Sequence, residues 1–213
     1  MGVIARMRKL IIVPIFHTDI DMGTFKERMS RIGEEQFGKA EWQRHKENIE
    51  KFWEELNKAV DGIIKNIDVG KLKIYQDGQV IDGPIGVKIV EETAEKGSKN
   101  HRIILKYIHD GATLMKTESF EAMKEEYFLI RDMMVAKTPM EAERAAKVYE
   151  ERKEELLKRR DKFIAKNIDK TLKEGEIGIL FIGATHNIGN ELPSTINVEY
   201  LKISMYEVLR PRF

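Results

Sequence analysis

The chain has 213 residues, long for one domain and short for two, so a single core spanning 1–213 with long helical additions is expected. Basic and acidic residues nearly cancel to a formal net charge of +1, so nothing in the overall charge draws the chain toward nucleic acid or an acidic membrane. There is no cysteine, which excludes disulfides, thiolate zinc sites, iron–sulfur ligation and cysteine nucleophiles together; a charged content of 34% without cysteine also suits a heat-adapted intracellular protein.

At the start, Arg6, Arg8 and Lys9 precede the apolar run Leu10–Phe16, as in a secretory leader. The residues that follow, His17-Thr18-Asp19, offer no small-residue cleavage site, so the run reads as a strand buried on both faces and the protein as cytoplasmic. Pro14 is at odds with that strand, because proline supplies no ladder donor. Thr24-Phe25-Lys26-Glu27 has the form of a capping box that opens a short helix. A long helix is expected from about Glu41 to Ile67, where Trp42, Ile49, Phe52, Trp53, Leu56, Val60, Ile63, Ile64 and Ile67 keep a helical period.

Lys71–Tyr75 reads as the next strand, with Asp77-Gly78 as its turn. Helices are expected near Ile85–Lys96 and Lys99–Asp110, separated by Gly97-Ser98. A short strand at Ala112–Met115 leads through Thr117-Glu118-Ser119 to a helix from Phe120 to about Ala136. Thr138-Pro139-Met140-Glu141 combines a cap, a first-turn proline and a glutamate at the third position, opening a helix that reaches about Lys173. Ile177–Ile182 is a further buried strand, and Val198–Leu209 supplies one or two more. Strands alternating with helices imply an α/β fold with an open, largely parallel sheet flanked by helices. No other apolar run approaches the roughly 20 residues that span a bilayer, so no membrane association is expected.

In such sheets ligands bind outside the carboxyl ends of the strands. Three segments bring polar groups there: His17-Thr18-Asp19-Ile20-Asp21, Thr117-Glu118, and Gly183-Ala184-Thr185-His186-Asn187-Ile188-Gly189. An extended chain past Phe16 places His17, Asp19 and Asp21 on one side. Together with Glu118 and His186, they make a His/His/carboxylate set able to bind a divalent metal (zinc, manganese or iron) and to lower the pKa of a bound water. Each candidate has a structural counterpart. Asp19 and Asp21 also suit a turn before the Thr24 helix, and Glu118 suits the positive end of the following helix. Gly183 and Gly189 serve either a tight turn or an anion that needs exposed backbone N–H groups. Arg160-Asp161 equally fits a solvated ion pair on the long helix. His45 reads as a packed or boundary residue, Arg131-Asp132 as structural, and His101 and His109 carry no assigned role. Phosphate-loop and dinucleotide glycine patterns are missing.

Arg160-Asp161-Lys162-Phe163-Ile164-Ala165-Lys166-Asn167, followed after a strand by Gly183-Ala184-Thr185-His186, resembles the C-terminal half of the TraB/Tiki, erythromycin esterase and ChaN-like superfamily. The strand ending in His17 takes the place of that group's N-terminal histidine motif, without the glycine or glutamate often found before it. Members include metal-dependent proteases, esterases and a haem-binding protein, so the resemblance implies a site rather than one reaction. The resulting expectation is a hydrolase of an ester, amide or similar carbonyl in a small-molecule or peptide substrate. His17 and His186 would hold a metal or act on water directly, and Glu118 would be a third ligand or general base. Arg160 would stabilise oxyanion charge, and Asp161 would orient a neighbour. The alternatives are a binding protein for a small anion or haem, and an assembly protein that pairs through Glu41–Ile67 or Pro139–Lys173; a homo-oligomer is expected in either case.

Overall fold

A computed structural model describes residues 8–16 and 26–209. Its elements are β1 (Arg8–Ile15), α1 (Lys26–Phe37), α2 (Lys39–Ile64), β2 (Leu72–Gln76), α3 (Gly83–Glu95), α4 (Lys99–His109) and β3 (Thr113–Met115). They continue with α5 (Phe120–Val135), α6 (Pro139–Thr171), β4 (Ile177–Gly183), β5 (Ile196–Tyr200) and α7 (Met205–Leu209). The five strands form one sheet in the order β3-β2-β4-β1-β5, and every pairing is parallel. The expected α/β architecture is therefore present. At the C-terminal end the expectation of strands through Leu209 is corrected: pairing stops at Tyr200, and Met205–Leu209 is helical. There Ser204 and Met205 donate their backbone N–H groups to Glu55 of α2, which caps the new helix.

Alternation along the strands sorts two cores onto opposite faces. Ile11, Val13 and Ile15 of β1, with Ile179 and Phe181 of β4, face α2, α3 and α4 through Phe52, Trp53, Leu56, Val90 and Ile104. Leu10, Ile12, Leu180 and Ile182 face α6 through Ile164, Ala165 and Ile168. Each such side chain, fully buried, contributes roughly 1.5–3 kcal/mol of transfer free energy. The β-branched runs that read as doubly buried strands are so because helices cover both faces. Gly178 keeps β4 flat between its neighbours, since a Cβ there would sit 2.8 Å from Leu10 and 3.1 Å from Tyr75.

Pro14 proves compatible with a central strand. Pairing of β1 with β5 ends at Ile12↔Tyr200, so Pro14 lies past the end of β5 and its missing N–H breaks no ladder bond. Its carbonyl is satisfied instead by the Tyr206 hydroxyl of α7, which donates at 2.7 Å. Burial raises the Tyr206 pKa above the ordinary tyrosine range and keeps that hydroxyl a donor.

The capping box at the start of α6 forms as its sequence implies, with Thr138 and Glu141 exchanging side-chain and backbone bonds of 3.2 Å. With 33 residues α6 is about 50 Å long, against about 23 Å for the seven residues of β4. Its buried residues begin only at Leu156, so its first half runs on beyond the carboxyl edge of the sheet together with α5. The first half of α2 does the same on the opposite face, with burial beginning at Ile49. Arg28 of α1 reaches across to the carbonyls of Met133 and Met134 at the end of α5. Among the described residues no helix is long and apolar enough to cross a membrane.

Candidate functional site

The site forms where β2, β3 and β4 end and α6 passes beneath them. Asp77 follows β2 directly, and its N–H donates to Phe181 O at 2.8 Å, which extends the pairing with β4 by one residue. The segment after β3 is tied to the same loop: Thr117 N and Glu118 N both donate to Gln79 O, at 2.8 and 2.9 Å. Thr117 Oγ1 accepts from Gln76 N at 3.1 Å, and Thr117 O accepts from Asn167 of α6 at 3.3 Å. These bonds fix Glu118 in the protein interior with no exposed surface. After β4, His186 N–H donates back to Gly183 O at 3.0 Å, and the tight turn sends the imidazole toward α6.

On α6, adjacent residues serve two partners. Asp161 takes His186 Nδ1 on Oδ1 at 2.5 Å and Asn187 N–H on Oδ2 at 3.0 Å. The ring is thereby locked, with Nε2 turned to Asp77 Oδ2, 3.8 Å away. Arg160 is engaged by three carboxylates. Its Nε and Nη2 bond Glu118 Oε1 at 3.1 and 2.5 Å, Nη2 bonds Asp77 Oδ1 at 2.8 Å, and Nη1 bonds Glu126 Oε2 of α5 at 2.5 Å. Asp77 also accepts the Gly183 N–H on Oδ2 at 3.0 Å.

Four carboxylates, those of Asp77, Glu118, Asp161 and the partly exposed Glu126, thus lie around one guanidinium and one imidazole, an excess of negative charge. Arg160 and Asp161 are each 5% exposed. Burial raises the Glu118 pKa above the ordinary glutamate value and the Asp77 charge adds to this, while Arg160 and His186 oppose it. For Arg160, burial works against the charge, but Glu118, Asp77 and Glu126 outweigh it and hold the guanidinium firmly protonated. Glu118 Oε2 is buried with no hydrogen-bond partner among the described residues. Asp77, Glu118 and His186 each offer a ligand atom, and these atoms lie within 4.8 Å of one another, so the group can hold a metal ion after a small contraction.

Of the sequence candidates, the fold brings Glu118, Arg160, Asp161 and His186 together. His17 and Asp19, the remaining metal candidates, lie outside the described residues, as does Thr24 of the expected capping box. The N–H of Gly183 is taken by Asp77, and Gly189 makes room for Tyr200, whose hydroxyl would be 2.5 Å from an added Cβ. His45 stacks on Trp42, the His101 ring meets Ser98 Oγ, and His109 faces Glu91, all away from the site. Arg131 and Asp132 pair with each other at 2.8 Å. Two site residues were missed by sequence reasoning. Asp77 ends a strand at the carboxyl edge as His186 does, but Asp-Gly after a strand also signals a simple turn, and that reading hid it. Glu126 is one acid among several on α5, and nothing local distinguishes it.

Comparison of the chain with protein-family models, with curated proteins and with solved structures gives no match.

Proposed function

We propose that the chain is a hydrolase of an ester, amide or related carbonyl substrate, working with a divalent metal ion held by Asp77, Glu118 and His186. The observation that carries this reading is Glu118 Oε2, a buried carboxylate oxygen without a partner among the described residues, set among more negative charge than Arg160 neutralises. A divalent cation answers both features. Two carboxylates and an imidazole suit zinc, manganese or iron, and such an ion supplies hydroxide near neutral pH from a bound water. Asp161 plays the part usual for a carboxylate behind a metal-binding histidine: it fixes the tautomer and turns Nε2 to the site. Arg160 keeps Asp77 and Glu118 aligned as counter-charge; with four of its hydrogen bonds committed to carboxylates, it is a positioning residue. The resemblance of Arg160-Asp161 and Gly183-x-x-His186 to a superfamily with metal-dependent proteases and esterases supports the same reading.

The dyad also supports a metal-free version, in which His186, oriented by Asp161, acts as general base on water. Elemental analysis of untagged protein after incubation with zinc, manganese or iron separates the two. A near-stoichiometric metal, lost in Asp77→Ala and in His186→Ala, is expected, with hydrolysis of model esters or peptides abolished by chelation. Protein that takes up no metal yet hydrolyses these substrates in a His186-dependent manner selects the metal-free version. Protein with neither property overturns both.

A further inference from the structure

From Met123 to Glu155 no residue is buried, although this stretch comprises most of α5 and the first half of α6. Helices draw most of their stability from packing an apolar face, so a projecting two-helix hairpin is poorly supported by itself. Its outer side shows what is missing. A groove of about 530 Å³ lies between the two helices, lined by the apolar Leu129, Val135, Ala145 and Val148 and by two acidic and two basic residues, Asp132, Glu141, Lys137 and Arg144. Met140, 77% exposed, stands beside it, and Val135 and Val148 are 57% and 42% exposed.

Charge along this face follows an order. Met140, Arg144, Val148, Glu151 and Glu155 recur every three or four residues and form one exposed stripe of α6. The stripe is basic toward the N-terminus, acidic toward the C-terminus and apolar in between. A parallel copy of it would set like charges against each other. An antiparallel copy sets Arg144 against Glu151, with Val148 near the axis. Glu151 is held within its own chain only loosely, by Lys147 at 4.0 Å, a contact that an incoming arginine can replace. A surface whose charge pattern complements itself under a half-turn fits an isologous two-fold pairing.

We infer that the α5–α6 hairpin is a self-association surface, on which two copies of this chain pack antiparallel about a two-fold axis to form a four-helix bundle. Each copy places Val148 against the Ala145–Val148 end of the other's groove, and the Arg144–Glu151 pairs select the antiparallel orientation. The pairing uses none of Asp77, Glu118, Arg160, Asp161 or His186, so this inference does not depend on that reading.

The test is sedimentation equilibrium of the full chain across a concentration series. Wild type is expected to dimerise. Arg144→Glu, an exposed change that spares the fold, creates repulsion at two symmetric positions and should raise the dissociation constant at least about tenfold. Adding Glu151→Arg to it reverses both charges in both copies and should recover dimerisation. A monomeric wild type, a dimer indifferent to Arg144→Glu, or a double variant no better than the single one each overturns the inference. His186→Ala is expected to leave the association unchanged.

Discussion

Replacing Arg160 with leucine would test whether the buried cluster is held by charge. Arg160 is 5% exposed and its guanidinium makes four hydrogen bonds to three carboxylates, at 2.5 to 3.1 Å. Leucine fills part of the space but leaves Asp77, Glu118 and Glu126 facing one another without a counter-charge. Removing one partner of a buried ion pair costs about 3–5 kcal/mol, so a loss near the lower figure is expected, since Glu126 is 22% exposed and can turn to solvent. Urea unfolding in the presence of chelator at about pH 7 measures this as a lower midpoint with an unchanged slope. The deficit should also narrow as the pH is lowered to about 5. Without Arg160 the carboxylates hold protons more tightly in the folded protein than in the unfolded chain, so the variant loses stability as pH rises. A loss below about 1 kcal/mol that does not vary with pH would refute the picture of a charge-held cluster.

Tyr206→Phe removes the donor to the Pro14 carbonyl while keeping the ring among Phe16 and Phe52, and should cost about 1–2 kcal/mol by chemical denaturation; an unchanged midpoint would show that water replaces the bond. Glu55 accepts the backbone N–H of Ser204, the Ser204 hydroxyl and the Met205 N–H, and these bonds lower its pKa. Its contribution is therefore present above the ordinary glutamate range and lost as pH falls through the lowered value. The stability profile of Glu55→Gln should converge with that of the wild type at acid pH, and parallel profiles would count against the capping role.

The strands were legible because burial on both faces leaves unbroken apolar runs, and α6 because Thr138, Pro139 and Glu141 form a complete local signal. The end of the chain was misread for the opposite reason. Val198–Leu209 has strand-like composition, but α7 is set by Glu55, 149 residues away from Ser204 in sequence, which no local pattern announces. The site divides in the same way. Glu118, Arg160, Asp161 and His186 could be singled out by their position after strands or by resemblance. That Arg160 meets Asp77 and Glu126 depends on α5 crossing α6 and on β2 lying beside β4. Those are tertiary facts, and a turn aspartate or a helix glutamate looks the same with or without them.

The helix α6 lies against the sheet from Leu156 onward, and none of its own residues before that is buried. Hydrogen-bonded continuity does not make it one cooperative unit, because local opening follows packing and not backbone regularity. Amides in its second half, around Ile164 and Ile168, are expected to exchange only when the sheet itself comes apart. Those of the first half exchange whenever the hairpin frays, unless another surface packs on it. One unbroken helix is thus expected to carry two exchange lifetimes, with Arg160 and Asp161 just inside the slow half and Arg160 tied to the hairpin by Glu126 of α5.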